Sequence, residues 1–196
     1  MTAMSTIRRP PSLTKIVLTF GLVSGAVMSA MMVLTLPLQE RIGLEQGMII
    51  GYTTMVAASL AIYFGVRRYR DEIAGGSVSF GRAFVVGVAI AAVAGACYTA
   101  TWEVIYFNRL APDFIGKHQA HQLETARARG ATAAEIARMQ TEFAEFAKQY
   151  ENPLVNSAYT FLEPLPVGLL VALISAGVLR RRREPELDHA ELVRAG

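Results

Sequence analysis

The apolar run that ends in four consecutive arginines, Arg180 to Arg183, constrains the fold more than any other part of this sequence. It begins near Leu154 and is interrupted by Glu163, Pro164 and Pro166. A run of this kind, with one internal acid and a basic end, is typical of a membrane-spanning helix with a break. The part after the break covers only about 21 Å as a helix, so the part before it has to complete the crossing of a hydrocarbon core about 30 Å thick.

Three further apolar runs precede this one, and hydrophobic residues make up 53% of the chain. The four predicted spans cover residues 16–36, 48–66, 83–107 and 154–179. The first is too long for a signal peptide, so we interpret it as an uncleaved anchor. The predicted fold is an all-α membrane protein with four transmembrane helices in one domain, residues 1–183. The charged tail, residues 184–196, is expected to be disordered.

Lysines and arginines predict the orientation. The tails and the loop between the second and third spans carry most of them, with clusters close to the membrane at Arg67, Arg68 and Arg70 and at Arg180 to Arg183. Such an excess marks the cytoplasmic side of a membrane protein. We therefore expect both termini in the cytoplasm and residues 108–153 on the opposite side.

The segment between the third and fourth spans has a helical pattern. Thr132 and Glu135 have the spacing of a capping box. Apolar residues follow at alternating steps of three and four, namely Ile136, Met139, Phe143, Phe146 and Tyr150. This predicts an extracytoplasmic helical segment with one amphipathic stripe. The stripe either packs on the ends of the spans and the headgroup layer, or docks a partner protein.

Small residues recur at four-residue spacing in all four runs and predict closely packed helix faces. They are Gly21, Gly25 and Ser29, then Gly47 and Gly51, then Gly87, Ala91, Gly95 and Thr99, and finally Gly168, Ala172 and Ala176. Two interpretations are open. The faces pack the helices of one bundle, or one of them forms a homodimer.

Two acids, Glu103 and Glu163, lie inside predicted spans, where an ionisable group is a functional candidate by default. Their expected depths differ by only about 6 Å. If they face each other, they form a proton- or cation-binding site. The structural alternatives are that Glu103 reaches the interface beside Trp102 and Tyr106, and that Glu163 caps a helix restarting at Pro164.

Other polar residues occur at a similar depth. These residues are Tyr52, Thr53, Thr54 and Tyr98. Together with Glu163 they are predicted either to line a polar cavity or to form ordinary hydrogen bonds between helices. The spacing of His118, His121 and Glu124 is weak evidence for a metal. We predict no metal, no cofactor and no nucleic-acid partner, since no nucleophilic triad, phosphate loop or dinucleotide fingerprint is present.

Four sequence motifs carry a resemblance to a known family. They are GYTTM at 51–55, FGVRRYRD at 64–71, GGSVSFGRAF at 75–84 and EPLPVGL at 163–169. In this order and spacing, the chain resembles the uncharacterised bacterial family called domain of unknown function 4199. The resemblance implies a four-span, multi-pass protein of the bacterial inner membrane. It implies no activity, substrate or cofactor.

The sequence favours a non-enzymatic structural or interaction protein over an enzyme. Its expected partners are the lipid bilayer and either a second copy or another membrane protein. The alternative is a small transporter or ion-coupled carrier that uses Glu163, with Glu103 assisting. A membrane enzyme has the least support, because no nucleophile with a neighbouring base is evident.

The orientation is tested with reporters placed after Gly76 and near Gly130. We expect a cytoplasmic reporter to be active only at Gly76 and a periplasmic reporter only at Gly130, because arginines flank the first site. The reverse pattern would overturn the orientation.

Overall fold

Long apolar helices make up most of this protein. The computed structural model describes residues 11–110 and 113–180 and has no strand within them. In chain order the helices are α1 (Leu13–Thr35), α2 (Gln39–Ile42), α3 (Leu44–Glu72), α4 (Phe80–Phe107), α5 (Phe114–Ala128), α6 (Ala133–Tyr150), α7 (Pro153–Leu162) and α8 (Leu165–Leu179). A 3₁₀ turn, Leu36–Leu38, follows α1. The predicted tail, residues 184–196, lies outside the described residues.

Four helical stretches are long and apolar enough to cross a membrane: α1 with the turn that follows it, α3, α4, and α7 joined to α8. Their most apolar windows are only 28% to 39% buried inside the protein. Large apolar side chains such as Leu22, Val85, Leu170 and Val178 are more than half exposed. A surface of this kind suits lipid and not water. The prediction of an all-α membrane protein with four spans is confirmed.

Local signals set several helix ends. The Ser12 hydroxyl accepts from the Lys15 N–H at 3.2 Å at the start of α1. Thr132 and Glu135 form the predicted capping box at the start of α6, which satisfies amide donors that have no partner in the helix. Between α3 and α4 the chain turns at Gly75 and Gly76, both at positive φ, which glycine adopts without strain.

The small-residue faces of α1, α4 and α8 pack the helices of one bundle against each other, whereas Gly51 of α3 has no neighbour within 4 Å of an added Cβ. α4 packs against α1 and α8, and α3 packs against the same two helices. A Cβ atom added to Gly87 would lie 2.8 Å from the Ala172 Cβ, and one added to Gly168 would lie 2.9 Å from the Ala91 Cβ. These contacts bring α4 and α8 close together. A homodimer through the same faces stays a prediction.

The main core lies toward the end of the bundle where residues 73–79 join α3 to α4, which we call the loop end. Its most buried large side chains are Ile16, Ile62, Val66 and Ile90. A second, smaller cluster of Met28, Met55, Ala58 and Ala94 lies toward the opposite end. At that opposite end, α5 and α6 pack on each other, and the Gln119 side-chain amide donates to the Phe143 carbonyl at 2.9 Å. We call residues 114–150 the connecting hairpin.

The last span is divided into α7 and α8, with only Glu163 and Pro164 between them. Pro164 and Pro166 have no N–H, so neither donates the hydrogen bond that would continue the helix across this point. Proline is favoured in the first turn of a helix, and Pro166 lies there in α8. The sequence of the break thus ends one helix and begins the next without a loop.

Replacing Gly87 with alanine tests the contact between α4 and α8. We expect Gly87→Ala to destabilise the protein by about 1–3 kcal/mol, because the new methyl group overlaps Ala172. The matched control is Gly177→Ala on α8, where an added Cβ meets no atom within 4 Å. Thermal unfolding in lipid nanodiscs should show a lower midpoint for Gly87→Ala alone. Equal midpoints would contradict the contact.

Candidate functional site

A cavity of about 660 Å³ lies at the hairpin end of the bundle. Its walls come from α1, α3, α4 and α7, and residues of α5 and α6 in the connecting hairpin complete it. The smaller core cluster closes it toward the loop end, since Met28 and Met55 belong to both. The cavity is therefore formed by the spans and the hairpin together.

The walls are mostly apolar and adaptable. Among the described residues, five methionines line the cavity, namely Met28, Met31, Met32, Met48 and Met55. Methionine is flexible and polarisable, so it accommodates ligands of irregular shape. Aromatic rings face the cavity from both the spans and the hairpin, among them Tyr52, Tyr98, Trp102, Phe146, Tyr150 and Tyr159. Such walls suit an apolar molecule.

Glu163 is the carboxylate of this cavity. It follows the last residue of α7, and the Tyr98 hydroxyl of α4 donates to its Oε2 at 3.0 Å. Within the described residues no other hydrogen bond to this carboxylate is present. The N-cap of α8 is Pro164, without any side-chain hydrogen bond. The interpretation of Glu163 as the cap of the second helix is therefore wrong, because its side chain turns to Tyr98 instead.

The structure does not bring Glu103 and Glu163 together. Ser157 of α7 donates to Glu103 Oε1 at 2.8 Å, and Glu103 is not part of the cavity wall. Along α4, Glu103 lies five residues beyond Tyr98, the partner of Glu163, which corresponds to about 7.5 Å. Each acid thus has its own hydroxyl partner across the α4–α7 contact.

The remaining candidates from the sequence divide between the cavity and the lipid face. Tyr52 and Thr54 line the cavity, although the Thr54 hydroxyl donates to the Ile50 carbonyl of its own helix at 2.8 Å. Thr53 is exposed and does not line it. The methionine wall was missed, although Met28, Met32, Met48 and Met55 have helical spacing within their runs. Their spacing alone does not distinguish a core from a cavity.

His118 faces the cavity from the hairpin. Its ring stacks on Phe114 with 6.4 Å between ring centroids. Burial, and to a smaller extent the charge of His121, lower the pKa of His118 below its usual value, so its ring is neutral at pH 7. Among the described residues, no group of three histidine, cysteine or acidic side chains is placed to hold a metal ion.

The sequence model of one protein family, described as "Protein of unknown function (DUF4199)", matches residues 19–181. The chain belongs to DUF4199. This match covers most of the chain and confirms the resemblance seen in its motifs. No curated protein and no solved structure is significantly similar to it.

A buried network joins the hairpin of this DUF4199 protein to its spans. The Trp102 ring N–H donates to the Tyr150 hydroxyl at 3.0 Å, and that hydroxyl lies 3.4 Å from Thr160 Oγ1. Thr160 donates to Asn156 Oδ1, and the Asn156 amide donates to the Tyr150 carbonyl at 3.3 Å. Asn156 is fully buried. Because burial raises the pKa of Tyr150, its hydroxyl keeps its proton and both accepts and donates.

The amphipathic stripe of the DUF4199 chain is largely used inside the molecule. Ile136 and Tyr150 are buried, Met139 is half-buried, and Phe143 and Phe146 line the cavity. The Phe146 ring also meets Tyr159 of α7 edge to face, with centroids 5.2 Å apart. Docking of a partner protein on the stripe stays a prediction.

The Tyr150 network is tested by Tyr150→Phe. We expect a loss of about 1–3 kcal/mol in stability, because the buried Trp102 N–H loses its acceptor. Tyr52→Phe is the control, since the Tyr52 side chain is about half exposed and no hydrogen bond to its hydroxyl is present in the described residues. The check is thermal unfolding followed by Trp102 fluorescence. Equal losses for both variants would argue against the network.

Proposed function

We propose that this protein is a non-enzymatic membrane protein that binds a small amphipathic molecule in the cavity beneath its connecting hairpin. The observation that carries the proposal is the cavity itself. Its volume of about 660 Å³ falls within the range of about 300–1,000 Å³ typical of small-molecule sites. Its walls are mainly apolar with a few polar groups, which is the usual composition of such sites.

The polar groups of the cavity support binding. Tyr98 holds the Glu163 carboxylate, and Trp102 and Thr160 hold the Tyr150 hydroxyl. Side chains that are fixed by other side chains keep their positions when a ligand enters, so they orient it at little entropic cost. The ligand would place its apolar body against the methionines and rings and its polar group near these fixed side chains.

The proposed location is a bacterial inner membrane, with both termini in the cytoplasm. The support is the excess of arginine near the loop end, at Arg67, Arg68 and Arg70. In this orientation the cavity lies in the extracytoplasmic half of the spans. Molecules dissolved in the bilayer would then enter from the outer leaflet.

Transport is the second candidate, because Glu163 lies both in the cavity and at the break between α7 and α8. Binding sites next to broken helices are common in membrane carriers. The sequence predicts that Glu103 assists Glu163, but Glu103 does not line the cavity. A carrier of this design would rely on Glu163.

The binding proposal is tested with Trp102, the single tryptophan of the chain, which lines the cavity. We expect bromoundecanol, whose bromine quenches tryptophan on contact, to quench Trp102 saturably in lipid nanodiscs. Gly51→Leu should weaken this quenching about tenfold or more, because Gly51 lines the cavity and an added Cβ there meets only open space. The new side chain fills the cavity without straining the fold.

The matched control is Gly177→Leu, at a position on α8 that is equally open but outside the cavity wall. Quenching in this variant should equal that of the native protein. If Gly51→Leu also leaves it unchanged, the cavity is not the binding site. A pH-dependent flux into sealed vesicles that Glu163→Gln abolishes would favour a carrier over a protein that only binds.

A further inference from the structure

The described wall of the cavity contains an acidic side chain but no lysine or arginine. Among the described residues, Glu163 is the only acidic side chain that lines it, and no lysine or arginine does so. The ring of His118 also lines the cavity, and burial lowers its pKa, which disfavours its positively charged form. The described part of the wall therefore offers one carboxyl group and no lysine or arginine to pair with it.

We propose that the ligand of this cavity is a monovalent organic cation with an apolar body, whose positive group pairs with Glu163. This inference rests on the proposed function, because it specifies the ligand of the same cavity. An ionised carboxylate in an apolar wall is costly unless it is paired or well hydrogen-bonded. Glu163 receives one hydrogen bond, from Tyr98, and a carboxylate accepts several. A bound cation supplies the opposite charge that the described wall lacks.

The surroundings of Glu163 suit an organic cation. Tyr159 precedes it by four residues on the same face of α7, and Tyr98 lies across from it on α4. Both rings line the cavity. Aromatic faces attract a quaternary ammonium group, which has no N–H to donate. A carboxylate between two tyrosines thus recognises a cation by charge and by ring contact together.

The same surroundings do not suit a metal ion. Calcium takes about six to eight oxygen ligands, and magnesium requires about six in an octahedral arrangement. The described wall offers one carboxylate and a few hydroxyls, several of which are already hydrogen-bonded within the protein. The large apolar remainder of the cavity would stay unused by a metal ion but accommodates the body of an organic cation.

Three probes that share one brominated tail test the inference. They are bromoundecyltrimethylammonium, bromoundecanol and bromoundecanesulfonate, which are positive, neutral and negative. Binding is measured by Trp102 quenching in nanodiscs of uncharged lipid. We expect Glu163→Gln to weaken binding of the cation about tenfold or more, to leave the alcohol within about twofold, and not to weaken the sulfonate. For each probe, the quenching of the variant is compared with that of the native protein, so that the partitioning of the probe into lipid is the same on both sides of the comparison.

Two further variants make the result specific. Glu103→Gln removes the other intramembrane acid, which lies outside the cavity wall, and should leave cation binding unchanged. Glu163→Asp keeps the charge and should retain the preference for the cation over the alcohol. Glutamine keeps an acceptor for Tyr98, so the contact between α4 and α7 survives the main substitution.

Each other outcome overturns the inference in a recognisable way. Unchanged cation binding in Glu163→Gln would show that the charge is not recognised. An equal loss for the cation and the alcohol would show that Glu163 only shapes the cavity. If the native protein binds the alcohol, and Glu163→Gln weakens binding of neither the cation nor the alcohol, the cavity binds a ligand but does not select a cation. If none of the three probes quenches Trp102 saturably, the proposed function fails as well.

Discussion

The close approach of α4 and α8 is the contact on which the rest of the structure depends. Alanine and glycine alternate across it, so that Gly87 meets Ala172 and Ala91 meets Gly168. In a membrane, lipid is as apolar as the side chains, so helices associate through close packing and not through exclusion of water. The bundle is therefore closed where side chains are smallest. Farther along α4, Tyr98 and Trp102 line the cavity together with methionines of α1 and α3.

The cavity keeps its shape because buried hydrogen bonds hold the connecting hairpin against the spans. Tyr150 ends α6, and its hydroxyl lies between Trp102 of α4 and Thr160 of α7. Bonds of this kind have few competing water molecules in a poorly hydrated interior, so a fully satisfied network fixes the hairpin in one place. The amphipathic stripe adds apolar contacts from the same helix. The hairpin is thus part of the cavity wall and packs on the spans.

The helix break gives Glu163 its position. Pro164 and Pro166 separate α7 from α8 without a loop. Glu163 lies between the two helices, and its side chain turns toward Tyr98. Its place in an apolar cavity without a lysine or arginine in the described wall is what suggests recognition of a cation.

The sequence by itself determined the four spans, the break, the capping box at Thr132 and the apolar stripe, because each follows from local length, spacing or backbone chemistry. It also placed both intramembrane acids at similar depths. Only the tertiary structure decided that Glu163 faces a cavity while Glu103 pairs with Ser157. The rotation of one helix about its axis relative to the next sets such contacts. Packing of the whole bundle fixes that rotation, which no single run of residues encodes.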